Sequence, residues 1–207
     1  MKRSKYTLLK ANLLTYFRLG FYNIFRVIKH QVYVKSGVYK KLNRQYFFCD
    51  GPFFNEIVSN DEVLSDTSSL LYYRPFHASK EVDFTKISWD YNILTNECFS
   101  FDGFHWSDIS KALNGRGDVK GVWELSRLNW SVNLALTGSK ESICILNKTL
   151  HSWTRHNRPY FGVNWVCGQE AAYRVLNLEC SAYLLNQLNK SNQRLIDLIN
   201  IHVERIE

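Results

Sequence analysis

Residues 117–127 read Gly-Asp-Val-Lys-Gly-Val-Trp-Glu-Leu-Ser-Arg, and this stretch indicates the fold more strongly than any other. It predicts the start of a helix that carries acidic, basic and aromatic side chains on adjacent turns. A similar combination follows at residues 162–174, where Gly-Val-Asn-Trp precedes Glu170 and Arg174. Two helix starts that each combine Trp, Glu and Arg indicate a shared polar layer in a helical scaffold.

The chain beyond Asp118 has the apolar spacing of helices. We expect a first helix over 119–136, a second that begins at the N-cap Ser139 and ends before 157–159, a third over 168–188 and a fourth after 191. The second helix carries a clear apolar stripe, which is Ile143, Leu146, Leu150 and Trp153. The short connections predict two consecutive antiparallel helical hairpins, the unit of an α/α barrel, toroid or solenoid.

The first half of the chain is less regular. An amphipathic helix is predicted over 7–30, and short aromatic runs alternate with turn-forming residues over 32–108. We therefore predict an all-α fold, with a loop-rich N-terminal segment over 1–108 and helical hairpins over 109–207. The N-terminal segment is expected to wrap over the hairpins rather than to fold independently.

Composition narrows the function classes. The 207 residues carry a net charge of +7 and are 45% hydrophobic, which predicts a folded core and an attraction to anions. The basic residues are scattered and no RNA-binding or zinc-finger motif occurs, so no nucleic-acid partner is predicted.

The cysteines and histidines give no sign of a metal site. The five cysteines form no C-x-x-C pair, and they are predicted to be reduced and mostly buried. His151 and His156 lie five apart, unlike a helical zinc pair, so neither a metal nor another cofactor is predicted.

The basic N-terminus is not followed by a continuous apolar region or a cleavage site, and no stretch has the length of a membrane span. A cytoplasmic location is therefore expected, or a periplasmic one if the true start differs. A peripheral membrane contact of the first helix stays open.

The chain resembles the N-terminal part of the heparinase II/III family of polysaccharide lyases. The resemblance rests on Gly-Asp-x-Lys-x-x-Trp-Glu-x-x-Arg at 117–127, on the helix that ends in Ser-Trp and Asn-Arg-Pro at 152–159, and on Gly-x-Asn-Trp at 162–165 with the following Glu and Arg. It implies a partial α/α toroid that acts on acidic, uronate-containing polysaccharide. A separate C-terminal lyase fragment is a further partner that it implies.

Two interpretations of the matched residues stay open at this stage. In the first, helix-borne acids and bases form a buried structural network, made of Asp118, Lys120, Glu124 and Glu170 with the nearby arginines. In the second, aromatic, amide and guanidinium groups line a groove for an acidic sugar. The predicted substrate-binding residues of that groove are Trp123, Arg127, Asn164, Trp165 and Arg174.

A lyase of this type must neutralise the sugar carboxylate, remove the C5 proton and protonate the leaving oxygen. The resemblance assigns much of this work to an Asn-His element, and no Asn-His dipeptide occurs in the chain. We therefore predict no catalytic residue and a polysaccharide-binding toroid portion. The alternatives are a short active lyase that uses His105, Tyr173 and Arg174, and a non-enzymatic scaffold that binds protein; His202 is a weak substitute base.

Overall fold

Helices dominate the part of the chain that the structure describes, as the sequence predicts. The structure is a computed structural model, and it divides the chain into two compact units, Met1–Arg44 and Gln45–Glu207. It describes residues 18, 20–43, 46, 48–56, 72–73, 82–113 and 118–206. Buried side chains of 53–101 belong to the core of the second unit, while the predicted division of the chain at 108 stays a prediction.

The first unit consists of two helices in its described residues. Helix α1 spans Phe21–Ser36 and helix α2 spans Val38–Leu42. Gly37 separates them with a φ of 72°, a left-handed conformation that costs glycine little and that ends α1. No described residue of either helix is buried. The earlier part of the predicted helix over 7–30 lies outside the described residues.

The second unit begins with extended segments that lead into a short helix. Two antiparallel hairpins are formed, and the helix α3 follows them; the strands are β1 Tyr72–Tyr73, β2 Val82–Asp83, β3 Tyr91–Asn92 and β4 Glu97–Cys98, and α3 is Trp106–Ala112. Phe53, Phe54 and Trp89 are fully or almost fully buried. This region therefore contributes core side chains, although it has little regular structure.

Two side-chain amides fix the segment around Phe53 to the helices. The Asn147 Oδ1 accepts the backbone N–H groups of Phe53 at 2.8 Å and Phe54 at 3.0 Å, and its Nδ2 donates to the Phe54 carbonyl at 2.9 Å. Gln187 does the same for Asn55, accepting its N–H at 2.8 Å and donating to its carbonyl at 2.9 Å. We call these two residues the amide clamps.

The predicted helix over 119–136 is two helices, which corrects the sequence interpretation. Helix α4 spans Lys120–Ser126 and helix α5 spans Asn129–Thr137. Leu128 separates them with a φ of 64°, unusual for a residue with a Cβ, and its side chain is fully buried. The carbonyl of Arg127, freed by the break, accepts a hydrogen bond from Asn177 Nδ2 at 2.8 Å. Tertiary packing therefore overrides the helical pattern at this point.

The remaining helices agree with the sequence. Helix α6 spans Lys140–His156, and the Ser139 hydroxyl caps it by accepting the Ser142 N–H at 3.1 Å. All four members of its predicted apolar stripe are buried. Helix α7 spans Gly168–Leu184 and helix α8 spans Gln193–Ile206. Helix α5 packs on both α6 and α7, and α7 packs on α8.

Two details of burial differ from the sequence interpretation. On α8, helical spacing places Val203 and Ile206 near Leu195, but they are exposed, whereas Ile201 and His202 are buried. The cysteines are all free, but the expectation that most are buried is wrong: four are exposed and Cys167 is partly buried. The closure of the hairpins into a toroid stays a prediction.

Candidate functional site

An ion-pair cluster joins the start of α7 to the end of α4. The Arg127 guanidinium donates from Nε to Glu170 Oε2 at 2.7 Å and from Nη2 to Glu170 Oε1 at 2.9 Å, a two-pronged arrangement. Its Nη1 pairs with Glu124 one helical turn earlier. The hydrogen bonds to Glu170 raise the pKa of Arg127. Two carboxylates thus satisfy this one cation, which leaves it little capacity for a third anion.

Asp118 and Lys120 lie outside this cluster, although the sequence groups them with it. Their side chains are 58% and 66% exposed and form a pair of their own at 3.3 Å. The Asp118 carboxylate also accepts the Lys120 N–H at 3.0 Å at the start of α4. Solvent-exposed pairs of this kind contribute little to stability. Only Glu124 and Glu170 of the four predicted network acids and bases therefore belong to the buried layer.

Arg174 does not pair with Glu170, contrary to what their i, i+4 spacing indicates. Its guanidinium is fully buried, with its Cζ 5.4 Å from the ring of Trp153 and 5.5 Å from that of Trp165. It donates to the carbonyl of Asn164 at 2.7 Å. Burial lowers the pKa of Arg174 to about 9, which still leaves the group charged at neutral pH.

His202 completes this aromatic centre from α8. Its ring stacks on Trp165 with the centroids 4.8 Å apart, and its Nδ1 lies 2.7 Å from the Leu198 carbonyl. Burial, with a smaller contribution from the charge of Arg174, lowers the pKa of His202 well below its usual value. The imidazole is therefore neutral at pH 7 and enclosed, which excludes it as a base for an external substrate in this conformation.

The predicted substrate-binding residues divide into two groups. Asn164, Trp165 and Arg174 are buried, so no sugar ring reaches them in this structure, and their contacts are those of a core. Trp123 and Arg127 retain partial exposure. The Trp123 indole donates to the Val163 carbonyl at 2.9 Å, which fixes its orientation. The structure thus places three of the five residues in the packing between α6, α7 and α8.

His105, Tyr173 and Arg174, which the alternative of a short active lyase would use, make separate structural contacts. His105 is buried and caps α3 by accepting the Ser107 N–H. The Tyr173 ring is partly exposed and lies 5.2 Å from the Cζ of Arg127, while Arg174 is enclosed by tryptophan rings. No proton-transfer relay between these three residues is supported by these contacts.

An open cleft of about 680 Å³ lies along the C-terminal end of α6. The helix supplies one polar strip to it, and the segment before β3 supplies the other wall; the lining residues are Ile87, Ser88, Trp89, His151, Ser152, Arg155 and His156. The Trp89 indole donates to the Ser152 hydroxyl at 3.0 Å, which ties the two walls together. This volume is within the usual range of small-ligand sites.

Basic side chains are concentrated in and beside this cleft. Arg155 is exposed, and none of the ion pairs of the described residues engages it. His151 receives a hydrogen bond at Nδ1 from Arg194 at 3.2 Å, and burial together with that cation lowers the pKa of His151. The His156 Nε2 lies 3.1 Å from Asp90 Oδ2, while burial raises the pKa of Asp90. The cleft therefore presents hydroxyl, imidazole and guanidinium groups to solvent.

Sequence reasoning missed this cleft. His151 and His156 do not have the spacing of a metal-ligand pair, yet residues i, i+1, i+4 and i+5 of a helix lie on one side of it. Within the described part of the chain, no cluster of three His, Cys, Asp or Glu side chains is arranged to hold a metal ion.

Comparison with known proteins gives no relative. The chain matches no family model, no curated protein and no solved structure. The function must therefore be argued from the geometry of the described residues.

Proposed function

We propose that this chain binds acidic, uronate-containing polysaccharide without cleaving it, as the toroid portion of a heparinase II/III-like lyase. The observation that carries the proposal is the open cleft at the end of α6, with the unpaired Arg155 on its wall. A guanidinium holds a carboxylate or sulfate through two parallel hydrogen bonds. The hydroxyls of Ser88 and Ser152 suit the hydroxyl groups of a sugar.

The cleft is preferred over the Arg127 cluster because of charge balance. Arg127 already contacts Glu124 and Glu170, so a sugar carboxylate there would have to displace one of them. Arg155 forms no ion pair with a described carboxylate, so a sugar carboxylate could bind it without displacing a side chain. No turnover is proposed, because the family resemblance assigns catalysis to an Asn-His element and no Asn-His dipeptide occurs in the sequence.

The test combines binding and turnover. The purified chain is incubated with alginate and with heparan sulfate; binding is measured by calorimetry, and an unsaturated product by ultraviolet absorbance. We expect binding that weakens with salt, no product, and a loss of about tenfold in affinity for Arg155→Ala. Lys148→Ala is the control, since it removes an exposed charge from α6 outside the cleft.

Each outcome decides one part of the proposal. Product formation would contradict the non-catalytic assignment. No binding to either polysaccharide would contradict the function itself. Equal losses for Arg155→Ala and Lys148→Ala would remove the site from the cleft and leave only a general attraction between charges.

One observation favours a protein-binding scaffold as a second candidate. Helix α7 exposes a row of side chains at the spacing of one helix face, which is Tyr173, Leu176, Cys180 and Tyr183. Such a row is suited to packing against another helix. A C-terminal lyase fragment is the partner that the family resemblance suggests. Co-expression of such a fragment, with Leu176→Ser as the disrupting variant, tests this candidate.

A further inference from the structure

The charge of the chain is strongly segregated along the sequence, although the basic residues read at first as scattered. Of the 26 Lys and Arg residues, 11 lie in residues 1–49, and this stretch contains no Asp or Glu. Residues 50–207 carry the other 15 basic residues and all 19 acidic ones. Residues 1–49 thus have a formal charge of +11 and residues 50–207 a formal charge of −4, so the net positive charge of the chain belongs to its N-terminal part.

Helix α1 combines this charge with an exposed apolar stripe. Phe25, Ile28 and Val32 are 65%, 56% and 54% exposed, and Phe21 precedes them at the same spacing. Positions i, i+4, i+7 and i+11 fall within a narrow sector of a helix. A folded protein seldom leaves side chains as large as Phe25, Ile28 and Val32 exposed on one helix face without a binding role.

The basic residues flank the stripe rather than interrupt it. At 100° per residue, Arg26 and Lys29 lie on one side of the stripe and Lys35 lies on the other. All three are exposed, and Lys40 and Lys41 follow in α2. Long basic side chains beside an apolar face can extend to lipid phosphates while their methylene groups stay in the apolar boundary.

We propose that α1 binds the surface of an anionic lipid bilayer, lying in the plane of the headgroups with its apolar stripe in the acyl boundary. The helix cannot cross the bilayer: among the described residues, no helix reaches the length and apolar character of a membrane span. Apolar insertion and attraction to anionic headgroups act on the same helix, and two such contributions together give stable attachment.

The composition of this face distinguishes lipid from the other anionic partners. A nucleic acid or a polysaccharide would use the cations but would leave Phe25, Ile28 and Val32 in water. A second copy of the chain could cover the stripe, but it would bring two surfaces together that both lack any acidic residue over 20–43. Like charges facing each other oppose that contact. An anionic bilayer can bury the apolar stripe in its acyl boundary and attract the basic side chains to its headgroups.

The experiment is flotation of the full chain with vesicles of phosphatidylcholine containing about 30% phosphatidylserine, compared with vesicles of phosphatidylcholine alone. We expect attachment to the anionic vesicles that weakens as NaCl is raised. Phe25→Ser with Ile28→Ser should lower the partition about tenfold or more, and Lys29→Gln should lower it about fivefold. The control is Leu176→Ser with Tyr183→Ser, which removes two exposed apolar groups from α7 instead.

Several outcomes would overturn the proposal. They are no attachment to anionic vesicles, equal attachment to both kinds of vesicle, and equal losses in the α1 and α7 variants. Light scattering measures the oligomeric state of the chain. If the chain is a dimer, and Phe25→Ser with Ile28→Ser converts it to a monomer, the stripe binds a second copy and the proposal is wrong. Circular dichroism of the α1 variants verifies that an exposed helix face has been changed without unfolding.

Discussion

Replacing Arg127 by Met tests whether the ion-pair layer is structural. Arg127→Met removes both hydrogen bonds to Glu170, whose side chain is only 5% exposed, and also the pair with Glu124. A buried carboxylate without its cation typically costs 3–5 kcal/mol, and the partial exposure of Arg127 admits some water, so we expect about 3 kcal/mol. The exposed pair of Lys120 provides the contrast: Lys120→Met should cost less than about 0.5 kcal/mol.

The assay is urea unfolding followed by tryptophan fluorescence, because all six tryptophans belong to the second unit. The free energy of unfolding should fall by the stated amount with little change in its dependence on urea. The double variant Arg127→Met with Glu170→Gln should lose less than Arg127→Met alone, since it no longer buries an unpaired charge. A loss below about 1 kcal/mol for Arg127→Met, or a larger loss in the double variant, would refute the structural reading.

Three further predictions concern the core of the second unit. Between about pH 6.5 and 5 the unfolded chain protonates His202 while the folded chain does not, so stability falls by up to about 1.4 kcal/mol per pH unit; His202→Phe should flatten this slope in urea unfolding measured at each pH. Gly121→Ala should cost about 1–3 kcal/mol, because the new methyl would overlap the buried Asn92 amide, whereas Gly103→Ala, with open space around it, should be nearly neutral by thermal unfolding. Asn147→Leu should cost about 2–3 kcal/mol in urea unfolding, because it leaves two backbone N–H groups without an acceptor; an effect below about 0.5 kcal/mol would contradict the role of the clamp.

The helical part of the fold could be predicted where its signals are local. The cap at Ser139 and the apolar stripe of α6 are short-range features of the sequence, and both are confirmed. The break at Leu128 could not be predicted in this way. A leucine adopts a positive φ only when packing and hydrogen bonds from distant residues stabilise it, and the bond from Asn177 to the neighbouring Arg127 carbonyl spans 50 residues of the chain.

The candidate sites show the same limit. Helical spacing favours a pair between Glu170 and Arg174, but the structure joins Glu170 to Arg127 and encloses Arg174 between tryptophan rings. The choice between two arginines depends on where the helices cross, which the spacing does not encode. The cleft likewise combines α6 with residues some sixty positions earlier, as in the bond from Trp89 to Ser152, and no periodicity connects them.

The amide clamps have a consequence for how the segment around Phe53 opens. Asn147 and Gln187 contact only backbone atoms of residues 53–55, so these hydrogen bonds place no demand on the identity of the side chain at 55. The Asn55 side chain is held separately, since its Nδ2 donates to the Lys190 carbonyl at 3.0 Å. Phe53 and Phe54 are constrained by burial, and Phe53 also by the Arg194 guanidinium over its ring. Both clamp residues also depend on the helical region for their positions. Hydrogen exchange at the amides of 53–55 therefore reports the opening of this segment separately from the opening of the helical core.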